Sequence, residues 1–433
     1  MTRTVTIPVR YKIVSLLLTG TAINYLDRVN ISVAAPAMMA ATGLQKSEFG
    51  LVFSAFLLGY AAMQIPAGLI ADKRNTKRVL AISFCALSLL TALTPLAAKT
   101  LMSLLIVRLL LGISEAMIFP AVTAFNVRWF PPGEFARAQM IGASGAPIGQ
   151  MVAYPLTAWL VLQASWQMAF YVSAVLGLIW VAVWHWFSRN YPREHPAITA
   201  AELALVPGAE NSDPSPGWPL RRLATAAPVV VLAASAMGFS FVLWTVLFWL
   251  PPYLTEARGL SLARVGAYGV AIQACGAIGL LGSGVLSDAI LKRTNKVHIA
   301  RTKLPAVCML LAVVCLLAAV TTPSTPGCLI LLGAFYFFLM STPVAYHATP
   351  AALLPRQAAS IYGIINCCAS IGGIFGPAAV GFITTVAGRW ERSFEMVAAI
   401  AFCSALLLFA APVRPLEASS EIPPLPMKSG RPA

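Results

Sequence analysis

The sequence predicts an all-α membrane protein of twelve transmembrane helices arranged as two six-helix bundles. Three observations carry that prediction. The 433 residues are 59% hydrophobic and only 10% charged, whereas soluble domains carry about 25% charged residues. Apolar runs close to the ~20 residues that a ~30 Å hydrocarbon core demands of a helix follow one another along most of the chain, with short polar stretches between them. The basic residues alternate by loop: with the N-terminus inside, 22 of the 30 Lys and Arg fall in inside segments, six in outside loops and two within spans. That asymmetry is the positive-inside pattern. It places both termini in the cytoplasm, which requires an even number of spans.

Taken in order, the first span runs from Ile13 to Met38. Its polar, basic leader resembles the start of a signal peptide, but the apolar run is long and contains Asp27 and Arg28, so a retained anchor is expected. The next five spans are read near Phe49 to Ala71, Val79 to Ala97, Leu101 to Phe125, Ala138 to Leu162 and Met168 to Phe187. A proline-rich polar stretch, Ser188 to Arg222, then reads as a cytoplasmic linker, with a helix start at Thr199 and Glu202 three residues on. Six more spans lie near Ala224 to Leu250, Val265 to Leu286, Leu304 to Val320, Cys328 to Thr349, Ile361 to Val386 and Phe394 to Ala411. The expected organisation is therefore a bundle of residues 1–187, the linker 188–222, a bundle of residues 223–412 and a cytoplasmic tail 413–433 expected to be disordered.

A net charge of +15 would suggest a nucleic-acid partner in a soluble protein, but its loop-by-loop distribution is explained by topology instead. All eight cysteines fall within or at the edge of apolar spans, so neither a disulfide framework nor a metal site is expected. No catalytic constellation stands out, no glycine run carries the lysine of a phosphate-binding loop, and no cofactor is expected. The glycine runs Gly142, Gly145, Gly149, then Gly276, Gly279, Gly282, then Gly372, Gly373, Gly376 read as close helix contacts.

A weak repeat supports two parallel halves. Gly68-Leu-Ile-Ala-Asp72 precedes Lys73, Arg74, Lys77 and Arg78, and Gly284-Val-Leu-Ser-Asp288 precedes Lys292, Arg293 and Lys296, each after the second span of its half. This loop resembles the signature of the major facilitator superfamily, whose halves are parallel repeats. The resemblance implies a gating role for Gly68, Asp72, Arg78 and Asp288, tying helix ends together. Asn75 stands where that signature usually has a turn glycine, and asparagine enters the left-handed region more readily than other residues.

Charge inside the spans is rare, which makes the exceptions informative. Asp27 and Arg28 lie mid-span in the first helix, Arg108 and Glu115 in the fourth. Each is expensive in hydrocarbon, by at least ~2.5 to 3.5 kcal/mol on insertion scales, so they should face the bundle interior and pair. Arg108 and Glu115, seven residues apart, share a helix face about 10 Å apart along the axis and are expected to line one cavity. Static salt bridges that fix helix packing are the bland alternative. A functional role is favoured because buried pairs stabilise little, arginine matches a carboxylate with a planar fork, and a buried acid tends to hold its proton.

The segments Asn24-Tyr-Leu-Asp27-Arg28-Val-Asn30 and Arg108-Leu-Leu-Leu-Gly-Ile-Ser-Glu115 resemble the anion:cation symporter family, which includes vesicular glutamate and sialic-acid transporters. Gln64-Ile-Pro66-Ala-Gly68, Asn126-Val-Arg-Trp-Phe-Pro131, Leu250-Pro-Pro-Tyr-Leu-Thr-Glu256 and Gly363-Ile-Ile-Asn366 extend the likeness to both halves, nearest to its galactonate-type sugar-acid branch. The resemblance implies proton-coupled uptake of a small organic anion through a bacterial inner membrane. It further implies Asp27 and Glu115 as proton sites, Arg28 and Arg108 on the substrate carboxylate, and Tyr25, Tyr60 and Asn366 as its hydrogen-bonding partners. Gln64 lies one turn from Tyr60 on the same face, and Trp244 is a candidate cover for the cavity. Trp249 reads as an interface anchor and His347 as a satisfied structural histidine. The expected partners are the anion, protons and the lipid bilayer, with no nucleic acid and a monomeric protein. An anion exchanger, and a carrier of aromatic or other short carboxylates, are the alternatives; a membrane enzyme or receptor is a remote one.

Overall fold

The computed structural model describes residues 7–131, 134, 138, 141–205, 219–354, 357–413 and 416, without the side chains of Ile65, Gly68, Leu69, Ala71, Asp72, Lys73, Ala351, Ala358 and Ala359. The predicted gating residues Gly68 and Asp72 therefore lie outside the described side chains, as do most of the linker centre and the C-terminal tail. Among the described residues there is no strand. Twelve helical rods follow in order: α1 (Val9–Thr42), α2 (Lys46–Lys73), α3 (Thr76–Ala97), α4 (Leu101–Trp129), α5 (Gly145–Gln163), α6 (Trp166–Phe187), α7 (Ala227–Glu256), α8 (Leu262–Thr294), α9 (Ile299–Thr321), α10 (Thr325–Pro350), α11 (Ala358–Ala387) and α12 (Trp390–Ala410). Among the described residues, nine of them are long and apolar enough to cross a membrane. Large apolar side chains such as Ile82, Val285, Ile330 and Phe382 stand exposed around the outside, a surface suited to lipid and not to water.

Local chemistry accounts for the helix ends. Asn75 caps α3, its Oδ1 accepting from the Arg78 amide at 3.1 Å, with φ −66° and ψ 103°. The expectation that Asn75 turns left-handed is therefore corrected: as an N-cap it needs extended backbone. The residue that does turn left-handed is Asn295, at φ 52°, where it ends α8 in the second copy of the repeat. There Asp288 meets Arg301 at 2.5 Å and ties α8 to the start of α9, while Arg78 is exposed.

Pro8 precedes α1 without a side-chain cap, and the cap comes from the linker. Glu202 accepts the amides of Val9 and Arg10 at 3.1 and 2.9 Å and pairs with the Arg10 guanidinium at 3.4 Å. Thr199 in turn caps the short linker helix by accepting from the Glu202 amide at 3.1 Å, as its sequence position predicts. Arg258 does the converse for α9, donating to the carbonyls of Ala319, Val320 and Thr322 that the helix end leaves open.

The first six rods meet the last six chiefly through α1 with α7, α2 with α11, and α5 with α8. These junctions are tight at the end remote from the chain termini. Lys46 pairs with Glu256 at 2.6 Å, the Ser47 amide donates to Thr385, and Ser32 donates to the carbonyls of Leu247 and Phe248. Trp249, expected to anchor at a membrane interface, is instead fully buried here. It donates to the Pro377 carbonyl at 2.9 Å and packs edge-on against Phe53 and Trp390.

Candidate functional site

Two reciprocal glycine contacts set the geometry of the site. A Cβ on Gly59 would lie 2.0 Å from the Leu109 carbonyl oxygen, and one on Gly112 would lie 2.0 Å from that of Phe56, so α2 and α4 touch backbone to backbone. Phe56 is thereby pressed against Arg108, whose guanidinium carbon lies 4.8 Å from its ring centre. Gly145 and Gly149 draw α5 equally close to α1. Packing this tight fixes the rotation of α1 and α4 and decides where the four buried charges point.

They do not all point the same way. Arg28 donates to Glu115 from Nη2 at 2.5 Å and from Nε at 3.1 Å. Both groups are almost wholly buried, at 2% and 1% exposure, so the pair is held in a setting where water screens little. Around the Arg28 guanidinium stand four rings: Tyr25 at 4.7 Å and Phe56, Tyr60 and Trp244 each at 5.1 Å. Such faces attract a cation by ~0.5 to 2 kcal/mol each. Asp27 points away from Arg28 and accepts from the Thr91 hydroxyl at 2.8 Å. Among the described residues Arg108 makes no ion pair, and its Nε and Nη2 are buried without a partner, as are both polar atoms of Asn24. Two matched salt bridges were the expectation, and one is present.

Between the halves lies a cavity of about 870 Å³. Of the four charges only Arg28 reaches its wall, and among the described residues it is the sole permanent charge there; Asp27, Arg108 and Glu115 sit behind it. The expectation that Arg108 and Glu115 line the cavity is corrected accordingly: helical spacing puts them on one face, but that face turns toward α1 and α2. Tyr25, Tyr60, Gln64, Trp244 and Asn366, expected at the substrate, all line the cavity, and Asn366 donates to Gln64 across the halves at 3.2 Å. The wall extends through the terminus-proximal parts of α4, α5, α8 and α10 by way of Val127, Pro147, Leu280 and His347, so the cavity runs toward the end that carries both termini.

Several wall residues escaped the sequence reading. Gln273 and Gln150 are two; Gln273 donates to Tyr154 at 3.5 Å. Glutamine inside an apolar run was the signal for both. His347 was read as structurally satisfied, yet its imidazole lines the cavity with no hydrogen bond among the described residues. Helix breaks mark the site too: α4 is interrupted at Met117, just past Glu115, and α10 at residues 341–343. Pro120 and Pro343 lack the amide that would continue the ladder, and broken helices occur in membranes where they line a cavity.

The sequence profile of the Major Facilitator Superfamily matches residues 17–366. The chain belongs to that superfamily. As a major facilitator it is a membrane transporter and not an enzyme, with the superfamily's helical fold. Among curated proteins, it is 33% identical to the probable sulfoacetate transporter SauU of Cupriavidus necator, with 92% of this chain and 93% of that protein covered. It is 30% identical to the hexuronate transporter of Bacillus subtilis (91% and 92% covered) and 29% identical to the probable galactarate/D-glucarate transporter GarP of Escherichia coli (92% of each). The bacterial homologue of the human lysosomal transporter Spinster, solved inward-facing and occupied, shares the major facilitator fold at a TM-score of 0.79 and 20% identity, with 94% of this chain and 97% of that one covered.

Proposed function

We propose that this chain carries a small organic anion into the cell across the bacterial inner membrane together with protons, its substrate a hydroxylated monocarboxylate such as an aldonic or uronic acid. One observation carries the reading: among the described residues, the only permanent charge on the cavity wall is Arg28, and it is paired from behind by Glu115. An anion arriving in the cavity meets a guanidinium whose partner is a titratable carboxylate. The hydroxyl and amide groups of Tyr25, Tyr60, Gln64 and Asn366 around it suit a polyhydroxy acid. Relatives whose names specify sulfoacetate, hexuronate and galactarate or D-glucarate transport support an anionic substrate.

The mechanism follows from the competition for Arg28. Protonating Glu115 removes its negative charge, frees the guanidinium fork and strengthens the site for an incoming carboxylate. Asp27, beside Thr91 and the unpartnered Arg108, is the second proton site in this reading. Residues 1–187 and 223–412 then rock about the loaded cavity, with the linker 188–222 joining them. Both termini lie in the cytoplasm, so the cavity described here faces inward, where loss of the protons restores the Arg28–Glu115 pair and expels the anion. A monomer suffices for this cycle.

Uptake of D-gluconate, D-glucuronate, D-glucarate and sulfoacetate into proteoliposomes, with and without a pH gradient, tests the proposal. At least one should accumulate only with the gradient and lose accumulation to a protonophore. Uptake that ignores the protonophore but needs an internal anion overturns proton symport in favour of exchange.

A further inference from the structure

Among the described wall residues, His347 is the one besides Arg28 whose side chain can carry a positive charge. It stands on the half that does not contain Arg28, so the two groups face the cavity from different bundles. The interruption of α10 at residues 341–343 immediately precedes it. Its ring lies 4.9 Å from that of Tyr362 on α11, tilted by 34°, which holds one face while the ring edge stays open to the cavity. Among the described residues neither an ion pair nor a hydrogen bond engages the imidazole. The titratable groups around it are few. Tyr346 precedes it on α10 and is bonded to Ser235 on α7 at 2.8 Å. Tyr362 is the contact from α11. From the start of α9, Arg301 directs its guanidinium to Asp288 and Ser287, so its charge is already matched. On α8 the wall residues are the neutral Gln273, Gly276, Ala277 and Leu280.

A polar group built into a transport cavity, braced by a ring and left without a protein partner, is disposed to bind what enters. We propose that His347 recognises the end of the substrate opposite the carboxylate held by Arg28, and so decides how many charges that substrate carries. With a neutral imidazole the distal position favours a hydroxyl, hence a monoanion. With an imidazolium it favours a second carboxylate or sulfonate, hence a dianion. Selection between one-headed and two-headed acids thus follows the protonation of His347. The inference rests on the anion-transport reading above and deepens it by naming the substrate class for each state.

D-gluconate and D-glucarate form the discriminating pair, being six-carbon acids that differ only in whether the far terminus is a hydroxymethyl or a carboxylate. Their dissociation constants are measured on the purified full-length protein at about pH 7.5 and about pH 5.5. Proton effects at Asp27 and Glu115 act on the carboxylate that both ligands share and cancel in the ratio. The imidazolium share rises as the pH falls across that interval, so the preference for glucarate should rise several-fold. His347→Gln should flatten the ratio, and His347→Lys should hold it high at both pH values. A wild-type ratio that does not move with pH, or one that moves equally in His347→Gln, overturns the assignment, as does binding of gluconate alone at both pH values. If glucarate alone binds, its loss at low pH in His347→Gln supports the assignment and its retention overturns it. Binding of neither acid, nor of D-glucuronate or sulfoacetate, defeats the anion-transport reading itself, and this inference with it.

Discussion

Replacing Glu115 by Gln probes the centre of the proposed mechanism. The carboxylate is 1% exposed and makes two contacts with Arg28, at 2.5 and 3.1 Å, and the variant swaps it for a neutral amide of nearly equal size. Hydrogen bonds between charged partners contribute about 1.5 to 3 kcal/mol; that is the hold on the guanidinium an incoming carboxylate must displace. Without it, and at 1.4 kcal/mol per decade, anion affinity near neutral pH should rise by roughly ten- to one-hundred-fold. The four rings around Arg28 keep the guanidinium in place, so the cavity survives. Binding is read on purified protein, and transport in proteoliposomes both as counterflow and as accumulation under a pH gradient. Expected are tighter binding, preserved counterflow and lost accumulation. Weaker binding, or accumulation equal to wild type, refutes the idea that Glu115 competes with substrate for Arg28.

Further outcomes follow from the periphery. Glu202→Ala removes the cap on α1 and a partner of Arg10; a helix cap is worth about 1 to 2 kcal/mol, so the melting temperature should fall while transport persists, and an unchanged melt argues against the linker as a clasp. A Cβ on Gly50 would come within 2.7 Å of the Pro377 carbonyl oxygen, where backbone cannot yield. Gly50→Ala should therefore bias the protein by about 1 to 3 kcal/mol against closure at that end, seen as faster maleimide labelling of Ser47→Cys in detergent. His195, in the linker region, is packed between Phe187 and Trp129, and burial holds its pKa below the ordinary value. The folded chain then takes up a proton less readily than the unfolded one, so the stability His195 contributes is present above about pH 6.5 and lost as the pH falls below it. His195→Gln should blunt the acid-side drop in melting temperature, and an identical pH profile counts against this.

Much of the fold was legible because its signals are local. A membrane helix announces itself by some twenty consecutive apolar residues, and a linker by its prolines and charges. The four intramembrane charges stood out because hydrocarbon makes each of them costly. Tyr25, Tyr60, Gln64, Trp244 and Asn366 were found by combining that cost with the family resemblance. Misreadings arose where the decisive fact is a neighbour from another segment. Trp249 sits near a helix end like an interface anchor, but α11 and α2 cover it and Pro377 satisfies its indole. Asn75 occupies a position often given to glycine, but here it caps a helix.

Sequence alone determined the class of protein, its direction in the membrane as an expectation, and the short list of charges worth attention, since composition and loop charge are properties of segments taken singly. Only the tertiary structure decided that, among the described residues, Arg28 is the one of the four buried charges to face the cavity, that Glu115 holds it from behind while Arg108 has no ion pair, and that His347 stands open on the other half. The reason is rotational. A helix can present any of its faces to the bundle centre, and the face is chosen by backbone contacts such as Gly59 with Leu109 and Gly112 with Phe56, between residues about fifty positions apart in the chain.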